Sequence, residues 1–155
     1  MAEFKYIGKA AIEAKALAAL QSAVQLAAED LQGRCQAVTP VGPTGDLKAS
    51  IHVEDASINS TMNMGAGGAT SGNAVSAMVL TGGEVSEYAI PVHEGVAPHV
   101  ITPTNKKALF WKGAAHPVRS VNYPGFAGRK YIERPLLELR PQYEAFIAAA
   151  ARRAF

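Results

Sequence analysis

Cysteine is almost missing from this sequence. Its one thiol, Cys35, excludes an internal disulfide framework, fits a reducing compartment, and reads as a small inert apolar residue near a helix end. Charge is scarce too. Asp, Glu, Lys and Arg make up 18% of 155 residues, which is low for a freely soluble monomer and favours a chain partly covered by partners. The balance is a net +2, too small for a nucleic-acid footprint. Aromatics, at 7%, are too sparsely interleaved with basic residues for a single-strand binding platform. No stretch approaches the roughly twenty apolar residues of a membrane span. The opening "MAEFKYIGKAAIEAK" mixes acids with its apolar residues, unlike a signal peptide. The expectation is a protein that is cytosolic where it is made.

What is present is 48% apolar content, much of it alanine, in a length that suits a single domain over residues 1–155. Glu3 to Leu31 predicts one long amphipathic helix. Leu17, Leu20, Val24, Ala27 and Leu31 line up one face, with Phe4, Ile7 and Ala11 on a slightly rotated stripe. Gly33 is the expected stop, and Gln21, Gln25, Glu29 and Gln32 mark a wet face. "TPVGPTGDLKAS" predicts a loop and then a short helix, with Thr44 as N-cap and Leu47 and Ile51 on one side.

From Ile51 to Val79 the period shifts toward two. "IHVEDASI" and "AVSAMVL" predict paired strands, joined by the glycine-rich "NSTMNMGAGGATSGN" as a long flexible hairpin arm over about residues 60–73. A turn at Gly82-Gly83 leads into a short helical or bent segment. "HVITPTNKKALFWKG" predicts a second hairpin, with its tip at Pro103-Thr104-Asn105 and Ala108 to Trp111 returning. "HPVRSVNYPGFAG" adds a strand or loop that ends in a Tyr-Pro-Gly turn. The closing helix has Pro135 at its first position, Pro141 where it should kink or split, and Arg152 and Arg153 in its last turn. The fold class is α+β: a long N-terminal helix and a C-terminal helix packed on a mostly antiparallel sheet with a long hairpin arm.

Chemical signatures are weak. His93, Glu94 and His99 could suggest a metal-dependent hydrolase, with His116 joining. A zinc-protease helix, however, needs two histidines four apart, and here Pro98 interrupts a spacing of six. On one strand that spacing is about 20 Å, too wide for a shared ion. No nucleophile elbow surrounds any serine. "GPTGDLK" lacks the end of a P-loop, and "GAGGAT" lacks the last glycine of a dinucleotide fingerprint. Neither an active site, a metal nor a cofactor is expected.

Three segments in order carry a resemblance. "PVGPTGDLKASI" holds Thr44, Gly45, Leu47, Ser50 and Ile51. "EYAIPVHEGVAPHVITP" holds Tyr88, Ala89, Val92 and Gly95, with His93 where glutamate is more usual. "HPVRSVNYPGFAGRKYIERPLLE" holds Pro124-Gly125, Tyr131-Ile132 and Pro135-Leu136-Leu137. The succession resembles the tail-component family of long-tailed bacteriophages, the gene-ten-like neck or tail-completion proteins. The resemblance implies a non-enzymatic virion protein, made in the bacterial cytoplasm. Such a protein would form a ring, expected as a hexamer, at the head–tail junction, touching connector, terminator and tail-tube proteins while DNA passes without sequence recognition. A tail terminator or a head-completion stopper is the alternative within that class. A cyclic ring needs two different patches on each copy. The candidate interface residues are Met62 and Met64 on the arm, Lys106, Phe110 and Trp111 on the second hairpin, and Tyr88.

Overall fold

The computed structural model describes residues 9–42, 44–65 and 68–154. They form four helices and six strands: α1 (Lys9–Val38), α2 (Asp46–Ala49), β1 (Ile51–Gly65), β2 (Gly68–Thr81), α3 (Ser86–Glu94), β3 (Gly95–Val96), β4 (His99–Ile101), β5 (Val121–Tyr123), β6 (Phe126–Ala127) and α4 (Glu133–Ala154). Every ladder is antiparallel, and the fold class is α+β. Among the described residues no helix is long and apolar enough to cross a membrane. The chain divides into two compact units. One runs to Val85 and resumes at Tyr131; the other is Ser86–Lys130.

In the first unit α1 packs against the β1–β2 hairpin, and α4 packs along α1. The most buried line of α1 is Ala16, Ala23, Ala28, Leu31 and Cys35. Leu17, Leu20, Val24 and Ala27 are half-buried beside it. Small side chains let α1 approach both neighbours. Leu47, Ile51, Val85 and Tyr131 complete the core, each large apolar side chain contributing about 2 kcal/mol on burial. Cys35 is fully enclosed, and burial pushes its thiol up to about 11. It therefore stays protonated and unreactive at neutral pH, as its setting in the sequence implies.

The helix boundaries differ from expectation at four points. α1 runs past Gly33 to Val38, because Gly33 is exposed with open space around it and keeps helical geometry. The Thr39 N–H makes the last helical bond, to the Cys35 carbonyl at 3.0 Å, with Thr39 Oγ1 donating to the same carbonyl at 2.6 Å, and Pro40, which has no N–H to continue the ladder, follows. Residues 3–8 of the expected helix lie outside the described residues. α2 has no side-chain N-cap at Thr44. Gly45, with φ 74°, opens it instead through a left-handed backbone that glycine adopts freely. α4 starts at Glu133, so Pro135 lies within the first turn, where its missing N–H has no intrahelical partner to lose. Pro141 does not split α4. It sits with Leu137 on the exposed side, so the carbonyl it frees can bond water.

The polar row of α1 is not simply wet. Gln21 Nε2 donates to the Ala56 carbonyl at 2.6 Å, and the Ala56 N–H donates to Gln25 Oε1 at 2.7 Å. Gln32 and Gln36 both donate to the Ile51 carbonyl, at 2.9 and 3.1 Å. Ala56 lies in a β-bulge, where Asp55 and Ala56 together oppose one residue between the Glu54–Met78 and Ser57–Ser76 pairs. A bulge leaves backbone groups without a ladder partner, and the two glutamines supply both bonds. Eleven residues of helix rise about 16 Å and come round to nearly the same face. Five residues of strand cover about the same distance. This match lets the Gln21/Gln25 and Gln32/Gln36 pairs meet β1 at Ala56 and Ile51.

In the second unit β3 pairs β6 and β4 pairs β5, in the registers Gly95–Ala127, Val96–Phe126 and His99–Tyr123 to Ile101–Val121. The expected hairpin between 99–101 and 108–111 does not form. β4 takes β5 as its partner, and the chain between them makes an excursion closed by a Leu109–Val118 bridge. Short strands carry too little periodicity to name their partner.

Candidate interaction surfaces

The His93–Glu94 pair ends α3. His93 Nδ1 lies 2.8 Å from Glu94 Oε1, and Lys130 Nζ bonds the other carboxylate oxygen. The Lys130 hydrogen bond, followed by that of His93, holds the Glu94 carboxyl below its usual range. The Arg129 and Lys130 backbone N–H groups donate to the Val92 and His93 carbonyls, both at 3.0 Å, and so cap the last turn of α3. Gly95 leaves the helix at φ 91°.

This is a tight backbone crossing. A Cβ on Gly128 would meet the His93 carbonyl oxygen at 2.3 Å, and one on Gly95 would meet the Gly128 nitrogen at 2.5 Å. The residues that suggest acid/base chemistry are thus occupied in fastening two chain segments together. His99 belongs elsewhere. Its Nδ1 is 2.9 Å from the Ala97 carbonyl, and its ring sits 5.2 Å from that of Tyr123. His116 is exposed on the excursion. Among the described residues no three His, Cys, Asp or Glu side chains gather as a metal would require.

Two surfaces stand out instead. The first is the hairpin. Between Asp55 and Glu84 there is no charged residue and no proline. The β1–β2 ladder continues through the stretch expected as a flexible hairpin arm, as far as the Gly65–Gly68 pair. Among the described residues the sheet has only these two strands. Glutamines of α1 occupy backbone groups of β1 at Ile51 and Ala56, whereas among the described residues the outer edge of β2 takes part in no ladder. Sheet edges are normally guarded by lysine, proline or inward charge, and this one has none.

The second surface is the excursion at 102–120. Leu109 and Val118 exchange backbone bonds of 2.8 and 3.0 Å, and the Ala114 N–H closes a turn on the Trp111 carbonyl at 3.0 Å. The result is a short finger tipped by Lys112-Gly113. Ile101, Leu109, Phe110, Trp111 and Val121 line an open groove of about 320 Å³, with almost no polar atoms in its wall. Phe110 and Trp111 stay 67% and 50% exposed, so they are not core residues of the isolated chain.

Of the interface residues expected from sequence, Phe110 and Trp111 share the groove wall, and Lys106 is exposed at the base of the same finger. Tyr88 is exposed on α3. Met62 and Met64 sit on β1 opposite Ser71 and Ala69, and their side chains lie outside the described residues. Lys107 stands beside Lys106 near the expected hairpin tip, a pair whose sequence reads as phosphate-facing or as solvated surface; sequence reasoning missed Lys112 and Arg119. The available signal was an absence, since residues 95–130 contain no Asp or Glu. No protein-family model matches the chain, and neither a curated protein nor a solved structure does.

Proposed function

We propose that this chain is a structural virion subunit that assembles with copies of itself into a ring at the head–tail junction of a tailed phage. Tail-terminator and stopper positions belong to the same class. The three ordered sequence segments suggest the class. The single structural observation that supports an assembly role is the unguarded edge of β2, a strand that carries no charged residue and no proline. α1 packs on this ribbon, and a strand from a neighbour would pair the backbone groups along the β2 edge. Joining the β2 edge of one copy to a different patch on the next gives the head-to-tail contact that a closed ring needs.

Native mass spectrometry of the purified chain, with and without lysines at Asn73 and Ser76 on β2, tests this. The parent should give a single closed oligomer. Asn73→Lys with Ser76→Lys should give monomers with unchanged far-ultraviolet circular dichroism. Location in a virion reconstruction tests the rest. A parent that stays monomeric at high concentration and is missing from purified particles would sink the reading.

A further inference from the structure

We propose that the 102–120 finger is a nucleic-acid contact, with Lys106, Lys107, Lys112 and Arg119 taking backbone phosphates and Phe110 and Trp111 meeting sugar and base faces. The inference goes beyond the ring reading, because the finger would bind whether or not copies assemble.

The charge of the chain is segregated. Ser86–Lys130 holds six Lys or Arg against Glu87 and Glu94, a net +4, which leaves a net −2 on the other unit. Both acids precede residue 95. From there to Lys130 come Lys106, Lys107, Lys112, Arg119, Arg129 and Lys130 with no carboxylate among them. A whole-chain balance of +2 hides this.

Lys130 is occupied by Glu94. Lys106, Lys107, Lys112 and Arg119 are exposed, and among the described residues none has a carboxylate partner. The Leu109–Val118 pairing sets Arg119 across from Ala108, next to Lys107. The turn at Gly113, with φ 98°, carries Lys112 to the tip beside Trp111. Four unpaired cations therefore surround two exposed aromatics on one short finger. Cations that track phosphates, with aromatic faces among them, are the two parts of a sequence-tolerant strand-binding surface.

The occupant follows from the charge. A second copy of this chain offers only the net −2 of its other unit, and the α4 carboxylates Glu138 and Glu144 already face Arg134 and Arg140. A nucleic-acid strand brings one charge per nucleotide and apolar faces to match Phe110 and Trp111. The low aromatic content of the sequence argues against such a platform only on average, because two of the few aromatics are exposed side by side at this point.

Trp111 is the only tryptophan, so the intact protein carries its own probe. Its fluorescence is followed on titration with an oligothymidylate, a short duplex and polyglutamate at low salt. Both nucleic acids should bind, with the larger quench from the single strand, whose bases are open to Trp111. Log affinity should fall linearly with log salt. Lys107→Ala and Lys112→Ala should each reduce that slope by about one and weaken binding to every sequence alike. Trp111→Leu, followed by oligonucleotide anisotropy, should weaken single-strand binding roughly tenfold, the order of one lost stacking contact. Arg152→Ala with Arg153→Ala, in the last turn of α4 and outside the finger, should change nothing. Absence of binding at low salt overturns the proposal. So does a slope untouched by Lys107→Ala and Lys112→Ala. Polyglutamate binding as tight as the oligonucleotide would assign the finger to an acidic protein instead. None of these failures would alter the oligomer seen by native mass spectrometry, so they leave the ring reading standing.

Discussion

At the residue scale, the glycines of the second unit matter through what they exclude. Gly128 keeps an ordinary φ, so its requirement is space alone: a Cβ there meets the Glu94 and His93 backbone at 2.3 Å. Backbone cannot rotate away as a long side chain can. Gly128→Ala should therefore cost about 3 kcal/mol, the upper end for overpacked core positions. Denaturant unfolding followed by Trp111 fluorescence would measure it, and an unchanged midpoint would show that the crossing is looser than described. Gly33→Ala is the natural control, since Gly33 has nothing within 4 Å and lies inside a helix. Gly95 was legible as a turn from "HEG", because a positive φ is a local property. The demand on Gly128 was not, since it comes from a chain segment distant in sequence. His93 and Glu94 were weighed against catalysis on spacing alone. Only the structure shows the Lys130 side chain bonding Glu94 and the Lys130 N–H bonding the His93 carbonyl.

At the element scale, the glutamine pairs do the joining that leucines usually do. The bulge at Ala56 has a donor and an acceptor that β2 does not take, and Gln21 and Gln25 supply one bond each. Truncating Gln25 strands the Ala56 N–H. Gln25→Ala should cost about 1–2 kcal/mol and Gln21→Ala about 1. The double variant should deviate from additivity, because the two side chains hold one peptide region. Equilibrium urea denaturation gives all three values, and strict additivity near zero would mean water replaces them without loss. The long helices and the paired strands were legible because their periods extend over many residues, and the short helix after Gly45 because turn residues precede it and Leu47 and Ile51 fall on one side. The glutamine row was misread because polarity alone does not separate a solvated face from one that bonds a bulge. The better cue was position: Gln21 to Gln32 and Gln25 to Gln36 are the same helical step. The partner of β4 was illegible for the opposite reason, since three residues carry no usable period.

At the scale of the whole molecule, the two surfaces differ in the physics available to them, and this separates their functions experimentally. The hairpin has no charge between Asp55 and Glu84, so association through the β2 edge rests on backbone hydrogen bonds and apolar contact. Salt screens neither strongly. The finger holds its partner through Lys106, Lys107, Lys112 and Arg119, and counterion release makes such binding fall steeply with salt. Four phosphate contacts on a single strand give a slope of about −3, so raising salt from about 0.05 to 0.5 M should weaken that contact by about three orders of magnitude. Over the same range the oligomer should keep its mass in sedimentation equilibrium. If instead the oligomer dissociates in parallel with the loss of nucleic acid, the finger is the subunit interface. The charge-free strand β2 would then have to find its covering strand elsewhere.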